Sequence, residues 1–335
     1  MSSLHVPDPH DRGDLGTFVG RVVRLDQTAV VRLCSARPGR VTAWAGTPFD
    51  VLATRTGWHT NELARAASER GHDAIVLPYE GLVASIGPAP GLRSRSTELD
   101  GVDAVLARII PSGSLEQTLF RVDALHRLED RGVRVVNSPR AIERTVDKFW
   151  TSALLEQCGI PTPETVVCES VEEAFASFRL LGDVIVKPLF GSMGLGMVRV
   201  SDEEMAFRVF RTIEQIRGVY YLQRVIDHDG ADIRVFVIGG RVLGAIERRA
   251  PGWRTNLARG GTARSVPLTE DRTGLAVRAA AAVGADYAGV DLLTGRDGTT
   301  YVLEVNGIPG WKGLQEVTGI DVAGRLVDFL ALQAG

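Results

Sequence analysis

The carboxylate and amide side chains near the end of the chain form the pattern with the clearest chemistry. Glu304 and Asn306 are two residues apart in the run TTYVLEVN, and alternate residues of a β-strand point to the same face. Asp291 lies in the preceding run, YAGVDLLT, and a short turn between the runs can place it opposite them. Oxygen donors of this kind suit Mg²⁺, which usually keeps phosphate or water among its ligands. A solvated polar face is the alternative, but the apolar residues interleaved with these donors favour a buried strand.

A glycine-rich loop joins two apolar, β-type runs in the segment DVIVKPLFGSMGLGMVRV, residues 183–200. Glycine accepts positive φ and lets backbone N–H groups approach an anion closely. Lys187, at the end of the first run, supplies a positive charge for the same anion. The loop is neither a dinucleotide fingerprint nor a Walker loop, because no helix follows its glycines. It predicts a flap over the phosphates of a nucleotide, with an ordinary glycine-rich hairpin as the alternative. The candidate contacts are Gly191, Ser192, Gly194 and Gly196.

Positive charge is concentrated a little further along the chain, in elements that flank the predicted metal strands. The group consists of Arg234, Arg248, Arg249, Arg254 and the amide residue Asn256. Arginine grips carboxylate and phosphate oxygens through paired N–H groups. A single arginine is more often a surface charge, but the density of these residues favours a binding site.

Several elements must position these residues. Strand-like and helix-like patterns alternate over residues 48–140, which predicts a parallel sheet with helices on its faces and an α/β fold class. One continuous helix is predicted over Ala141 to Cys158, ahead of the glycine loop. Residues 1–47 are predicted to be partly disordered or to form a short hairpin, and no function is assigned to them.

Composition excludes several classes of protein. The chain has 335 residues, of which 44% are apolar and 24% charged, and a formal net charge of −3. This charge offers no general attraction for nucleic acid or an acidic membrane surface. No apolar run approaches the ~20 residues of a membrane span, and the N-terminus lacks a secretory signal pattern. Cys34, Cys158 and Cys168 form no C-x-x-C pair, so they indicate idle thiols in a reducing cytoplasm.

The motifs, taken in order, resemble those of the ATP-grasp superfamily. The order is K-P-x-x-G-S-x-G-x-G, Q-x-x-I, D-I-R, E-R-R, R-x-N, G-V-D and E-V-N. Within that superfamily the chain is most similar to the RimK-type α-L-glutamate ligases, over residues 49–332. The resemblance implies a three-lobed fold, with an N-terminal lobe (48–140), a central lobe carrying the flap (141–218) and a C-terminal lobe carrying the metal strands (219–335). It also implies that ATP lies between the last two lobes.

The same resemblance implies a role for each matching position. Lys148 and Lys187 would contact the phosphates and the adenine side, and Asp232 would meet the ribose. Asp291, Glu304 and Asn306 would bind two Mg²⁺ ions, with Mn²⁺ as a possible substitute. The transferred phosphoryl group would face Arg234, Arg254 and Asn256. The hinge strand beside the adenine would comprise Gln223, Arg224, Val225 and Ile226. Arg224 departs from the acidic or small residue usual there, which puts the nucleotide preference in doubt.

The implied reaction forms an amide through an acyl phosphate. A carboxylate attacks the γ-phosphate of ATP, and an amine, L-glutamate by resemblance, attacks the product. The acceptor would be a cofactor tail such as a glutamyl-tailed pterin, or a peptide or protein terminus. Trp311 and Lys312 could hold such an acceptor, with Arg248 and Arg249 nearby, although Trp311 could equally be a core residue. Two rivals remain: a ligase for another amine, and a non-catalytic nucleotide-binding protein. Self-association is left open.

Overall fold

The computed structural model describes residues 29–33, 57–72, 74–108, 110–111, 113–191, 194–250 and 262–333. The chain divides into two compact units. The first comprises residues 1–136 and 330–335, and the second residues 137–329. Among the described residues, no helix combines the length and apolarity needed to cross a membrane.

The described residues of the first unit form two sheets and two α-helices. Its larger sheet has the strand order β2-β1-β6-β7 and its smaller sheet the order β3-β4-β5. The strands are β1 (Ala29–Leu33), β2 (Ala74–Pro78), β3 (Leu82–Ser85), β4 (Gly91–Ser94), β5 (Thr97–Glu98), β6 (Ala104–Ala107) and β7 (Arg134–Val136). The helices are α1 (Trp58–Glu69) and α2 (Leu115–Asp130). A capping box between Ser114 and Gln117 fixes the start of α2 by satisfying N–H groups that have no partner within the helix.

The larger sheet of this unit is mixed, whereas the sequence predicted a parallel sheet. β6 and β7 are parallel, but β1 lies between β2 and β6 and is antiparallel to both. The predicted strand at residues 49–55 lies outside the described residues, and β1 comes from the upstream segment to which no function was assigned. The small sheet β3-β4-β5 was not predicted.

The second unit begins with two helices and a four-stranded antiparallel sheet of order β10-β9-β11-β8. The helices α3 (Pro139–Val146) and α4 (Lys148–Gln157) are followed by two more, α5 (Val171–Leu181) and α6 (Glu203–Gln215). The strands are β8 (Thr165–Cys168), β9 (Val184–Lys187), β10 (Val198–Val200) and β11 (Tyr220–Arg224). α5 and α6 pack on this sheet around the buried ring of Phe210, because the apolar faces of both helices need cover.

The rest of the second unit is a five-stranded sheet of order β14-β13-β12-β15-β16 with helices against it. Its strands are β12 (Ala231–Ile238), β13 (Arg241–Arg249), β14 (Thr262–Ser265), β15 (Tyr287–Thr294) and β16 (Thr300–Asn306). Its helices are α7 (Glu270–Val283), α8 (Lys312–Thr318) and α9 (Val322–Gln333), of which α9 belongs to this unit up to residue 329. The alanine-rich α7 covers one face, where it packs on apolar side chains of β12, β15 and β16. The opposite face carries the polar side chains of Asp232, Arg234 and Asp291, beside the buried rings of Phe236, Tyr287 and Trp311.

Two boundaries differ from those predicted. The helix expected over 141–158 is broken at Asp147, whose carboxylate caps α4 by accepting from Trp150 N at 3.0 Å. An aspartate offers the backbone this alternative to continuing a helix. β11, predicted to belong to the C-terminal lobe, pairs instead with β8 and β9 in the sheet that carries the flap. The three-lobe division itself stays a prediction.

Candidate active site

A β-bulge directs the predicted metal donors of β16 to one face of the sheet. Asp291 is opposite Glu304, and Leu292 is opposite Val302, so Leu303 is the extra residue. A bulge reverses the alternation of side chains on its strand. Val302 and Val305 therefore both enter the core, although three positions separate them, while Glu304 and Asn306 lie half-buried on the other face. The sequence predicted the shared face of Glu304 and Asn306 but not the bulge.

Asp291 lies at the centre of a buried network of two carboxylates and two guanidinium groups. Arg234 forms a bidentate pair with it, from Nε to Oδ1 and from Nη2 to Oδ2, both at 2.7 Å. Arg248 donates to Asp232 Oδ1 from Nε at 2.7 Å, and its Nη2 is 3.1 Å from Asp291 Oδ2. Burial alone would raise the pKa of Asp291, but the two arginines outweigh that effect and lower the pKa below its ordinary value. Asp291 is therefore a permanent carboxylate at neutral pH.

The donor set fits a magnesium ion. Asn306 can donate to Glu304 Oε1 at 3.0 Å and accept from Arg234 Nη2 at 3.1 Å, in the amide orientation that satisfies both neighbours. This places the oxygen-bearing groups of β15 and β16 together. Each carboxylate oxygen has two lone-pair sites, so Asp291 keeps acceptor capacity beside its arginines. No group of three or more His, Cys, Asp or Glu side chains in the described part of the chain could hold a metal, and the set described here consists of two carboxylates and one amide.

Lys187, at the end of β9, is buried, and its ammonium is influenced by the charges of two of these donors. Its Nζ donates to Gln223 Oε1 at 2.5 Å and lies 5.8 Å from the centre of the Tyr221 ring. Its pKa is lowered to about 8, chiefly by burial and to a smaller extent by the neighbouring Lys148. The charges of Glu304 and Asp291 act in the opposite direction. The lysine is therefore close enough to the carboxylates to be influenced by them, and it forms no salt bridge among the described residues.

Lys148, the first residue of α4, contacts the glycine flap. Its Nζ donates to Gly191 O at 2.7 Å and to Leu189 O at 3.4 Å. The flap connects β9 to β10, which pair antiparallel from Val198 to Val186. Gly191, Gly194 and Gly196 all have positive φ, a conformation that side-chain-bearing residues rarely adopt. The break in the predicted helix at Asp147 is what brings Lys148 to a helix start beside the flap.

The predicted hinge residues occupy the end of β11 and the residues after it. Arg224 N donates to Glu164 O at 2.8 Å, and its guanidinium forms an exposed ion pair with the Glu164 carboxylate at 2.7 Å. Val225 N donates to Asp183 O at 2.9 Å, and Val225 and Ile226 are half-buried. The side chain of Arg224 is thus paired at the surface with Glu164, the residue that precedes β8.

Other predicted contacts have different surroundings from those expected. The Trp311 ring is fully buried and packs edge-on against Phe236, so it offers no face on which an acceptor could stack. Lys312 is exposed and lies 3.8 Å from Glu316. Arg249 is also exposed, whereas Arg248 and Asp232 are buried and paired with each other. Ser192, Arg254 and Asn256 lie outside the described residues.

Asn137 supports the metal strands and was missed by the sequence analysis. Its Nδ2 donates to Tyr287 O at 2.8 Å and to Gly307 O, and its Oδ1 accepts from Asp286 N at 2.7 Å and Tyr287 N at 3.0 Å. It therefore holds the start of β15 to the residue that follows Asn306. An asparagine before Ser-Pro reads as a turn residue, so the sequence carried no local signal for this contact.

Comparison with known proteins gives matches along the whole chain. A family model described as the RimK-like ATP-grasp domain matches residues 145–330, and one described as the RimK PreATP-grasp domain matches residues 50–142. A model of a domain of unknown function matches residues 1–84.

Curated relatives share about a third of their residues with this chain. The tetrahydromethanopterin:alpha-L-glutamate ligase of Methanosarcina acetivorans is 36% identical over 307 residues, which cover 82% of this chain and 95% of the relative. The protein of the same name from Methanococcus maripaludis is 31% identical, covering 83% and 96%. A probable alpha-L-glutamate ligase of Serratia proteamaculans is 35% identical, covering 82% and 92%.

Solved structures share the fold. The ATP-grasp ligase PsnB, complexed with a minimal precursor, Mg and ADP, superposes with a TM-score of 0.66 at 22% identity, covering 84% of this chain and 96% of that one. A RimK domain ATP-grasp protein from Sphaerobacter thermophilus also gives 0.66, at 24% identity, covering 83% and 97%.

Proposed function

The chain belongs to the RimK-like ATP-grasp family, and we propose that it adds L-glutamate to an acceptor that ends in a carboxylate. It is an ATP-dependent ligase, and we propose Mg²⁺ as its metal, which the solved PsnB complex contains. The observation that carries the proposal is the placement of Asp291 opposite Glu304, with Asn306 on the same face and a buried lysine, Lys187, that the charges of both carboxylates influence. A protein that had lost catalysis would not be expected to keep these groups together.

In the proposed reaction the acceptor carboxylate attacks the γ-phosphate of ATP, giving an acyl phosphate and ADP. The amine of L-glutamate then displaces phosphate and forms the amide. Lys187 and Arg234 stabilise charge on the transferring group, because a fixed positive charge in a site of low dielectric constant needs no reorganisation. Lys148 positions the flap, which excludes water from the acyl phosphate. No nucleophile on the protein is required.

Bound Mg²⁺ would neutralise the negative charge of the phosphate oxygens, and we propose two ions, replaceable by Mn²⁺, held by Asp291, Glu304 and Asn306. Arg254 and Asn256 remain proposed contacts of the phosphoryl group, and Ser192 of the nucleotide. Self-association is left as a proposal as well.

The class of acceptor is proposed from the names of the relatives. The two methanogen relatives are named for tetrahydromethanopterin, which supports a pterin cofactor with a carboxylate tail. PsnB is solved with a precursor peptide, so a peptide is the competing acceptor. Since the Trp311 ring is buried, the pterin proposal rests on these names rather than on stacking against Trp311.

A two-way screen tests the proposal. The purified protein is given ATP, Mg²⁺, each of a panel of amino acids and either a carboxylate-tailed pterin or a peptide, and ADP release and product mass are measured. We expect release to require both L-glutamate and the pterin, with D-glutamate as the matched inactive control. Release that depends on another amino acid would contradict glutamate as the amine. Release with peptides alone would contradict the pterin as the acceptor.

The affinity for ADP is expected to fall as the pH rises above about 8, the pKa of Lys187. Below this pH the free protein already carries the ammonium that faces the phosphates. Above it, Lys187 of the free protein is neutral and must take up a proton when the phosphates bind. The free energy of this protonation weakens binding. Calorimetry in buffers of different ionisation heat should detect proton uptake on ADP binding at about pH 9 and little at about pH 7. The same uptake in Lys187→Met would assign it to another group.

A further inference from the structure

Gln223 is turned into the protein, although the sequence analysis placed it in the adenine hinge. Its side chain is only 2% exposed, and its Oε1 accepts from Lys187 Nζ at 2.5 Å. The two residues lie on the adjacent strands β11 and β9, where Tyr221 is directly opposite Lys187 and Gln223 is opposite Ile185. The amide therefore reaches along the sheet toward the phosphate-facing lysine.

The other end of the amide is held by hydroxyl groups. Gln223 Nε2 donates to Thr165 Oγ1 at 3.1 Å and to Tyr221 OH at 3.3 Å, and Tyr221 OH lies 2.8 Å from Ser152 Oγ. The reversed amide would set its NH₂ group against the ammonium, which is also only a donor. The network thus fixes which end of the amide faces the lysine.

We propose that Gln223 is a positioning residue that holds the Lys187 ammonium for the nucleotide phosphates, and that its side chain makes no contact with adenine. The inference rests on the proposed function only to the extent that ATP is a substrate. A neutral amide suits the task, because it orients the ammonium by a charge-assisted hydrogen bond without cancelling the charge. A carboxylate at the same place would pair with the lysine and compete with the phosphates.

Comparing nucleotides with and without phosphates tests the role. In Gln223→Glu, which preserves the shape of the side chain, the dissociation constant of ADP should rise about tenfold, the size of one charge-assisted hydrogen bond. The dissociation constant of adenosine should stay within about twofold. Both constants are measured by calorimetry on the full chain without acceptor or amino acid. Equal weakening of ADP and adenosine would identify an adenine contact and overturn the proposal, as would no change in either.

A double-mutant cycle separates positioning from general damage. In the Lys187→Met background the Gln223→Glu substitution should cause no further loss of ADP affinity, because the group it acts through is gone. A further loss of the same size would overturn the proposal. Thr165→Val, which removes one hydroxyl that orients the amide, should weaken ADP selectively but less. Because no ligase turnover is measured, a wrong assignment of acceptor or amine leaves this test unaffected.

Discussion

Replacing Glu304 with glutamine is expected to reduce ligase turnover by on the order of a thousandfold or more. A metal ion that neutralises phosphate charge contributes several kcal/mol to such a transition state, and each 1.36 kcal/mol is about tenfold in rate. Glu304 is half-buried and opposite Asp291, and the glutamine keeps the size of the side chain. The loss should therefore appear in catalysis and in the dependence of ADP affinity on Mg²⁺, with little change in stability. The measurements are ADP release and calorimetric ADP binding with and without Mg²⁺.

Glu316→Gln is the matched control for this substitution. Glu316 is exposed on α8, where its contact is with Lys312, so its loss should leave turnover and the Mg²⁺ dependence unchanged. A Glu304→Gln protein that keeps its rate, or that binds ADP with undiminished dependence on Mg²⁺, would show that the metal ligands are assigned wrongly.

Replacing Arg248 with methionine is expected to destabilise the second unit by about 3–5 kcal/mol. Removing one partner of a buried ion pair leaves an uncompensated charge, and losses of this size are typical. Here the substitution removes the ion pairs that Arg248 forms with Asp232 and with Asp291. Urea unfolding should show the loss in the transition of residues 137–329, because the first unit has a core of its own.

Arg249 supplies the control one position along the same strand. It is exposed, and its contacts are with Glu247 at 3.6 Å and with the backbone oxygen of Asp229 at 3.0 Å. Arg249→Met should therefore change stability by no more than about 0.5 kcal/mol, as is usual for surface substitutions. Equal losses for the two arginines would contradict the buried network. Arg248→Lys should recover only part of the stability, because an ammonium cannot repeat the paired geometry of the guanidinium.

The buried network also explains why the arginines were difficult to assign from sequence. Arg248 and Arg249 are neighbours in E-R-R, and both were predicted to contact substrate. In a strand they must point to opposite faces, and only the pairing of β13 with β12 decides which face carries Asp232. The structure buries Arg248 and exposes Arg249, so adjacent residues of the same type have different roles.

The sequence by itself determined the elements whose signals are local. The spacing of Glu304 and Asn306, the glycines of the flap and the lysine before it are all readable within one short segment, because strand periodicity and the need for positive φ act over a few residues. The order of these motifs was also sufficient to place the chain in its family.

Tertiary structure alone decided what depends on pairing between distant segments. The bulge at Leu303, the bridge from Asp232 through Arg248 to Asp291, the inward turn of Gln223 and the burial of Trp311 each require a partner strand or helix far along the chain. The face on which a side chain lies and the residues that it contacts depend on strand register and on packing. Neither can be read from a short stretch of neighbouring residues. For this protein, the sequence therefore identified the residues of the site, and the tertiary structure determined which contacts each residue makes.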